Sequence, residues 1–320
     1  MDSRIFFAAL IAFIISIGVS PVAIIYLRRL KFGQQIRVQG PSSHKLKAGT
    51  PTMGGLIIIF ALTISTLIFA GGNIYMVLAL TLTIGYGLLG FVDDFIKTVW
   101  KRSLGLQARQ KLLGQIGLAA LLAVWAMNQP ELGTSVFIPL RGVSIDLGWF
   151  YIPFVVLVVV ATSNAVNLTD GLDGLAAGTT AIALVAYTVI TMGLRQVELA
   201  IFTAAVTGAC IGFLWFNSYP AQVFMGDTGS LALGSALASV AVLTKTELWL
   251  ILIGGVFVLE TLSVIIQVLF FRFTGGRIFR MSPLHHHFEL SGWQETQVVI
   301  RFWIVAVILA LVAVGFWYLA

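Results

Sequence analysis

Residues 48–92 contain no Asp, Glu, Lys or Arg, a run long enough to cross a bilayer twice. Gly71-Gly72-Asn73 divides it into two helix-length pieces, so the chain must fold around membrane-crossing helices. Composition agrees: 10% of the 320 residues are charged and 59% are hydrophobic, with a mean hydropathy of +1.00. A soluble domain carries about a quarter charged residues, and a disordered chain needs low hydrophobicity, so both classes are excluded. A single cysteine rules out a disulfide framework and any cysteine-based metal cluster.

Uncharged stretches predict ten spans in an all-α polytopic membrane protein, at 5–27, 54–70, 74–95, 112–129, 150–168, 174–194, 199–217, 228–244, 248–271 and 302–320. The first is too long, and its leading residues too nearly neutral, for a signal peptide. Fifteen of the nineteen basic residues fall in the segments 28–53, 97–111 and 272–301. Positive charge stays on the cytoplasmic side, which places both termini outside. Cytoplasmic loops are then expected at 28–53, 96–111, 163–174, 217–229 and 272–301, in one ten-helix domain covering 1–320. On the outer side, alternating residues around Gly142 predict a small β-hairpin near 132–149.

Five of the thirteen acidic residues lie at cytoplasmic span ends: Asp93, Asp94, Asp170, Asp173 and Asp227. Charge at membrane depth is costly, so each needs a reason. Asp93 and Asp94 close the third span at a helix C-terminus, where the macrodipole disfavours negative charge. They are either an interfacial pair neutralised by Lys97 and Lys101 or a site for a cation or a proton transfer. On either reading, neutralising one of them should leave the fold unharmed or steadier. Asp170, Asp173 and Asp227 are placed at the starts of the sixth and eighth spans, where each could simply cap a helix.

The assembly favours chemistry over capping. Two glycine- and hydroxyl-rich helix N-termini on one surface offer backbone N–H groups to anions. Carboxylates beside an anion site make sense when Mg²⁺ bridges them to phosphate oxygens. Lys47, followed by Gly49-Thr50-Pro51-Thr52-Met53-Gly54-Gly55, and the triplet His285-His286-His287 extend the site. Three consecutive histidines cannot face one way, so contact with phosphate fits them better than zinc. No GxxxxGK[ST] loop is present, which argues against ATP hydrolysis. Exchange of one phosphoanhydride for another needs no such engine. Cys210 reads as an inert buried thiol, and Glu260, with Gln267 two turns on, as a polar pair turned toward other helices.

Five stretches, one per inner loop, carry a resemblance: Gly49 to Gly55, Phe91-Val92-Asp93-Asp94, Asn167 to Ala176, Phe224-Met225-Gly226-Asp227-Thr228-Gly229-Ser230, and Pro283 to Glu289. Together they resemble the polyprenyl-phosphate N-acetylhexosamine-1-phosphate transferases, and within them the phospho-N-acetylmuramoyl-pentapeptide transferase family. The resemblance implies transfer of phospho-N-acetylmuramoyl-pentapeptide from its UDP carrier, UDP-N-acetylmuramoyl-pentapeptide, to undecaprenyl phosphate, giving lipid I and UMP. It implies catalytic roles for Asp93, Asp94 and Asp227, with Asp227 the ligand of Mg²⁺. It also implies substrate contacts by Lys47, Thr52, Asn164, Asn167, Asp170, Asp173, Asn217, Phe224 and Gly226, with the Phe224 ring on uracil, and by His285, His286 and His287. The bacterial cytoplasmic membrane, an active site facing the cytoplasm, no nucleic acid partner and an open question of a homodimer complete the expectation. A sister enzyme moving N-acetylglucosamine-1-phosphate is the near alternative, against which the histidine triplet speaks. The far one is an ion-coupled transporter, whose sites should lie at the bilayer midplane.

Overall fold

The computed structural model describes residues 2–30, 49–100, 105–139 and 141–319. Lys47, and with it Lys31, Arg37, Lys45, Lys101 and Arg102, lies outside the described residues. In chain order the helices are α1 (Ser3–Arg29), α2 (Gly55–Phe69), α3 (Ile74–Val99), α4 (Ala108–Met127), α5 (Tyr151–Thr169), α6 (Leu175–Gly193), α7 (Val197–Asn217), α8 (Gly226–Leu243), the single turn α9 (Leu250–Ile253), α10 (Gly255–Thr274), α11 (Leu284–Leu290) and α12 (Glu295–Leu319). Strands β1 (Ser135–Ile138) and β2 (Val143–Asp146) form the antiparallel hairpin, with Ser135 opposite Asp146 and Ile138 opposite Val143.

Among the described residues nine helices are long and apolar enough to cross a membrane. Each of the ten predicted spans is helical, but α2 has only 15 residues, about 22 Å at 1.5 Å per residue. Its entrance is consumed by backbone pairing: Phe224 N–H donates to Pro51 O (2.8 Å), and the Gly54 and Gly55 N–H groups donate to Phe224 O (2.8 Å) and Met225 O (2.9 Å). The last span starts at Glu295, seven residues before expectation, because Arg301 lies over the Trp293 ring, 3.9 Å from its centroid, and is tolerated inside the helix. The predicted ninth span is split by Gly254 into α9 and α10.

The centre of the molecule is α8, whose residues from Thr228 to Leu243 are all buried. Its Gly, Ala and Ser residues let neighbouring backbones approach closely, the usual basis of helix association in lipid. A Cβ on Gly55 of α2 would meet Gly229 N at 2.1 Å, one on Gly90 of α3 would meet Asp227 O at 2.1 Å, and one on Gly234 would meet Ser163 Cα of α5 at 2.5 Å. At the opposite end of α8, Lys245 Nζ donates to Gly133 O beside the hairpin (3.4 Å). The 18 residues of α8 therefore separate the hairpin from the carboxylates by about 27 Å.

A second tight seam joins α1 to α7, where a Cβ on Gly208 would stand 2.0 Å from Ala9 O. Gly208→Ala is expected to destabilise the protein by about 1–3 kcal/mol. The control is Gly18→Ala, which meets nothing within 4 Å and should be neutral or slightly stabilising. Melting temperatures in detergent decide, and equal melting of the two variants would refute the packing.

Candidate functional site

Two helices running in opposite senses build the site. The Gly90 contact lets the last turns of α3 reach the first turn of α8, so that Asp94, carried by one helix, sits on the start of the other. Asp94 Oδ1 accepts from Asp227 N–H (3.2 Å), and its Oδ2 accepts from Thr228 N–H (2.9 Å) and Thr228 Oγ1 (2.7 Å). The α8 amides that the sequence assigned to an anionic ligand are thus held by a carboxylate of the protein itself. Because α3 continues to Val99, Asp94 is more than a turn inside it rather than at its C-terminus as expected, and the dipole it meets is the favourable one of α8.

Asp93 lies alongside. It accepts from Leu106 N–H (2.8 Å) and pairs with Lys97 Nζ (2.5 Å). Asp227 takes Lys97 Nζ (2.9 Å) and Lys111 Nζ (2.8 Å) on one oxygen and Asn167 Nδ2 (2.9 Å) on the other. Among the described residues no backbone amide donates to the Asp227 carboxylate, so the plain capping role does not describe it. The three carboxylates offer oxygens within 4.8 Å of one another, close enough to share one metal ion, and such hard oxygen donors suit Mg²⁺ rather than a softer metal. Two glycines close the floor: Gly226 (φ 73°), where a Cβ would fall 2.6 Å from Asp94 Oδ2 and 2.8 Å from Thr52 Oγ1, and Gly105 (φ 58°), where one would fall 2.6 Å from Asp93 Oδ1. The left-handed backbone and the crowding both demand glycine there.

The expected caps of α6 are corrected. Its N-cap is Gly174 in the left-handed region, without any side-chain bond. Asp170 instead follows the C-terminus of α5, where loss of hydration, then the charges of Asp227, Asp94 and Asp173, push its carboxyl up to about 8. Asp173 is buried and accepts from Ala221 N–H (3.0 Å), tying two site loops together. Asn217 does the same work, accepting from Gly174 N–H (3.1 Å) and donating to Val223 O (2.9 Å). Asn167 faces the carboxylates, but Asn164, one turn earlier, donates to Gln115 Oε1 of α4 (2.9 Å). Phe224 pairs through its backbone and leaves its ring half-buried; Thr52 is buried beside Gly226. The histidines diverge as their spacing requires. His285 Nδ1 faces Glu260, His286 Nδ1 faces Glu289, and His287 Nδ1 accepts from Arg280 N–H.

Lys111 escaped the sequence reading, which counted it only as a loop charge. A signal existed: a lysine in the first turn of α4 opposes that helix's dipole. Ser230, which accepts from Asn167 Nδ2 (2.8 Å), and Thr228 lay within the Phe224 to Ser230 stretch but were not singled out as site residues.

Comparison with known proteins agrees with this geometry. The family model described as glycosyl transferase family 4 matches residues 74–245, and a phospho-N-acetylmuramoyl-pentapeptide-transferase signature matches residues 47–59. The chain is 55% identical over 309 residues to the phospho-N-acetylmuramoyl-pentapeptide-transferase of Halalkalibacterium halodurans, covering 95% of each protein. It is 53% identical over 319 residues to the one from Bacillus subtilis and 55% identical over 317 residues to the one from Anoxybacillus flavithermus, covering 98% of each protein in both pairs.

The position of Asp94 reverses the expectation that its removal spares the fold. Asp94→Ala strips the start of α8 of three hydrogen bonds and should destabilise by about 0.5–2 kcal/mol, as loss of a helix cap does. The readout is the detergent melting temperature. A variant melting at or above the parent would restore the picture of a merely repelled pair.

Proposed function

From the phospho-N-acetylmuramoyl-pentapeptide-transferase family, to which this chain belongs, we infer that it transfers phospho-N-acetylmuramoyl-pentapeptide from UDP-N-acetylmuramoyl-pentapeptide to undecaprenyl phosphate. The products are lipid I and UMP, which makes the chain a transferase of peptidoglycan synthesis. An oxygen of the lipid phosphate bonds to the phosphorus that bears the sugar, and the bond from that phosphorus to UMP breaks. One phosphoanhydride replaces another, so no nucleotide hydrolysis is required. The observation that carries this reading is the meeting of Asp93, Asp94 and Asp227 with Lys97 and Lys111 at one end of the helix bundle.

Asp227, with Asp93 and Asp94 beside it, would hold Mg²⁺, which when bound neutralises the diphosphate and the departing UMP. Lys97 and Lys111 stand against Asp227 and can turn to the phosphate oxygens as these arrive. Positioning and charge do most of the work in phosphoryl transfer, and a phosphate monoester is already a competent nucleophile. Lys47, Thr52 and the Phe224 ring are assigned to the nucleotide, and the α11 histidines to the sugar-peptide side. We place this end of the bundle at the cytoplasmic face of a bacterial inner membrane, with α2 as the tenth span and both termini outside. The N-acetylglucosamine-1-phosphate alternative loses ground, because the named relatives are muramoyl-pentapeptide transferases.

The deciding assay is release of UMP from UDP-N-acetylmuramoyl-pentapeptide by the purified protein. Release should require undecaprenyl phosphate and Mg²⁺, and it should fall roughly 10²-fold or more in Asp227→Asn, about 2.7 kcal/mol of barrier. Release of UMP from UDP-N-acetylglucosamine instead would reassign the enzyme, and full activity in Asp227→Asn would remove the metal ligand. Orientation has its own check. Cysteines replacing the exposed Ser291 and Ser144 should react with an impermeant reagent from opposite sides, Ser291 from the cytoplasm, with Cys210 silent because it is buried. Labelling of both from one side would sink the topology.

A further inference from the structure

Glu260 is a buried acidic residue that the proposed reaction leaves unused. It stands in α10, fully buried, and meets the side chain of His285. Its Oε1 accepts from His285 N–H (3.3 Å) and faces His285 Nδ1 (3.2 Å). Two turns further on, Gln267 holds the same arm of the chain, accepting from Ile278 N–H (3.1 Å) and Phe279 N–H (3.0 Å) and donating to Phe279 O (2.9 Å). The polar pair of α10 therefore anchors the segment that delivers α11.

A carboxylate accepts and cannot donate, so the bond to Oε1 puts a hydrogen on Nδ1. Nε2 is then the free valence of the ring. It is buried and has no partner among the described residues, and it lies where a Cβ of Gly171 would stand, 2.2 Å away. Gly171 follows Asp170 directly, so this nitrogen faces the loop that closes one side of the carboxylate site. We propose that Glu260 is a positioning residue of the transferase. It fixes the His285 ring and its tautomer from inside the bundle, so that Nε2 accepts from a hydroxyl or amide N–H of the sugar-nucleotide donor. This rests on the transferase reading of the site. The logic is that of a carboxylate behind a functional histidine, which sets the ring's orientation and which nitrogen carries the hydrogen.

The test joins kinetics to a measurement that needs no turnover. Glu260→Gln should raise KM for UDP-N-acetylmuramoyl-pentapeptide roughly tenfold or more, with KM for undecaprenyl phosphate and the melting temperature little changed. Glu260→Asp, too short to reach the ring, should show the same defect. His285→Gln puts an amide near the position of Nε2 without needing Glu260. In that background Glu260→Gln should add nothing, since the first residue acts only through the second. Multiplicative effects, or a loss that strikes both KM values and stability together, would overturn the proposal. Histidine ¹⁵N spectra of the full chain in detergent, with the His285 signal assigned by its disappearance in His285→Gln, should show the Nδ1–H form in the parent and its loss in Glu260→Gln. A parent ring protonated on Nε2 alone overturns the proposal whatever the activity. A parent that releases no UMP yet carries the Nδ1–H form overturns the transferase reading instead.

Discussion

A carboxylate carried by one helix that caps the start of another organises this protein. Asp94 lies five residues before the end of α3, more than a turn from the negative end of its dipole, and is well placed on α8, whose first amides it accepts from. That bond fixes the two helix ends against each other, and the absence of a side chain at Gly90 allows the approach. Asp227 then has to emerge beside Asp93, and two carboxylates so close need cations. Lys97 and Lys111 supply them from α3 and α4. Such a cluster of partly balanced charge at the end of a lipid-buried bundle is suited to accept a divalent cation together with a diphosphate.

The scaffold was largely legible in the sequence because the bilayer forces it to be. Without water, backbone amides must pair within the segment, so uncharged runs become helices and their charged borders become ends. The hairpin declared itself through alternation around Gly142. What failed were features decided by tertiary contact. The shortness of α2 depends on Pro51 and Gly54 pairing with Phe224, and the early start of α12 depends on Trp293 accepting Arg301. No local pattern announces either.

The site was half legible for a related reason. Ionisable residues at membrane depth stand out, and Asp93, Asp94 and Asp227 do converge. Their roles did not follow from position, because a cap can come from another helix. Asp94 caps α8, while Asp170 and Asp173 cap nothing in α6. Asn217 and Asp173 read as substrate contacts, yet their polar atoms hold the loops together. Lys111 and Glu260 were visible as charges but not as partners, since pairing across the bundle leaves no trace in spacing. The histidine triplet behaved as helix geometry requires, each Nδ1 finding a different partner.

Asp227, Asp93 and Asp94 at the α3–α8 junction offer oxygens close enough to share one divalent cation. Titration with Mn²⁺, followed by the loss of its free electron-paramagnetic-resonance signal, reads that site directly on the purified protein. One saturable Mn²⁺ per chain is expected, displaced by Mg²⁺, with affinity about tenfold or more weaker in Asp227→Asn, whose fold is retained. Equal Mn²⁺ binding by the parent and Asp227→Asn would contradict it.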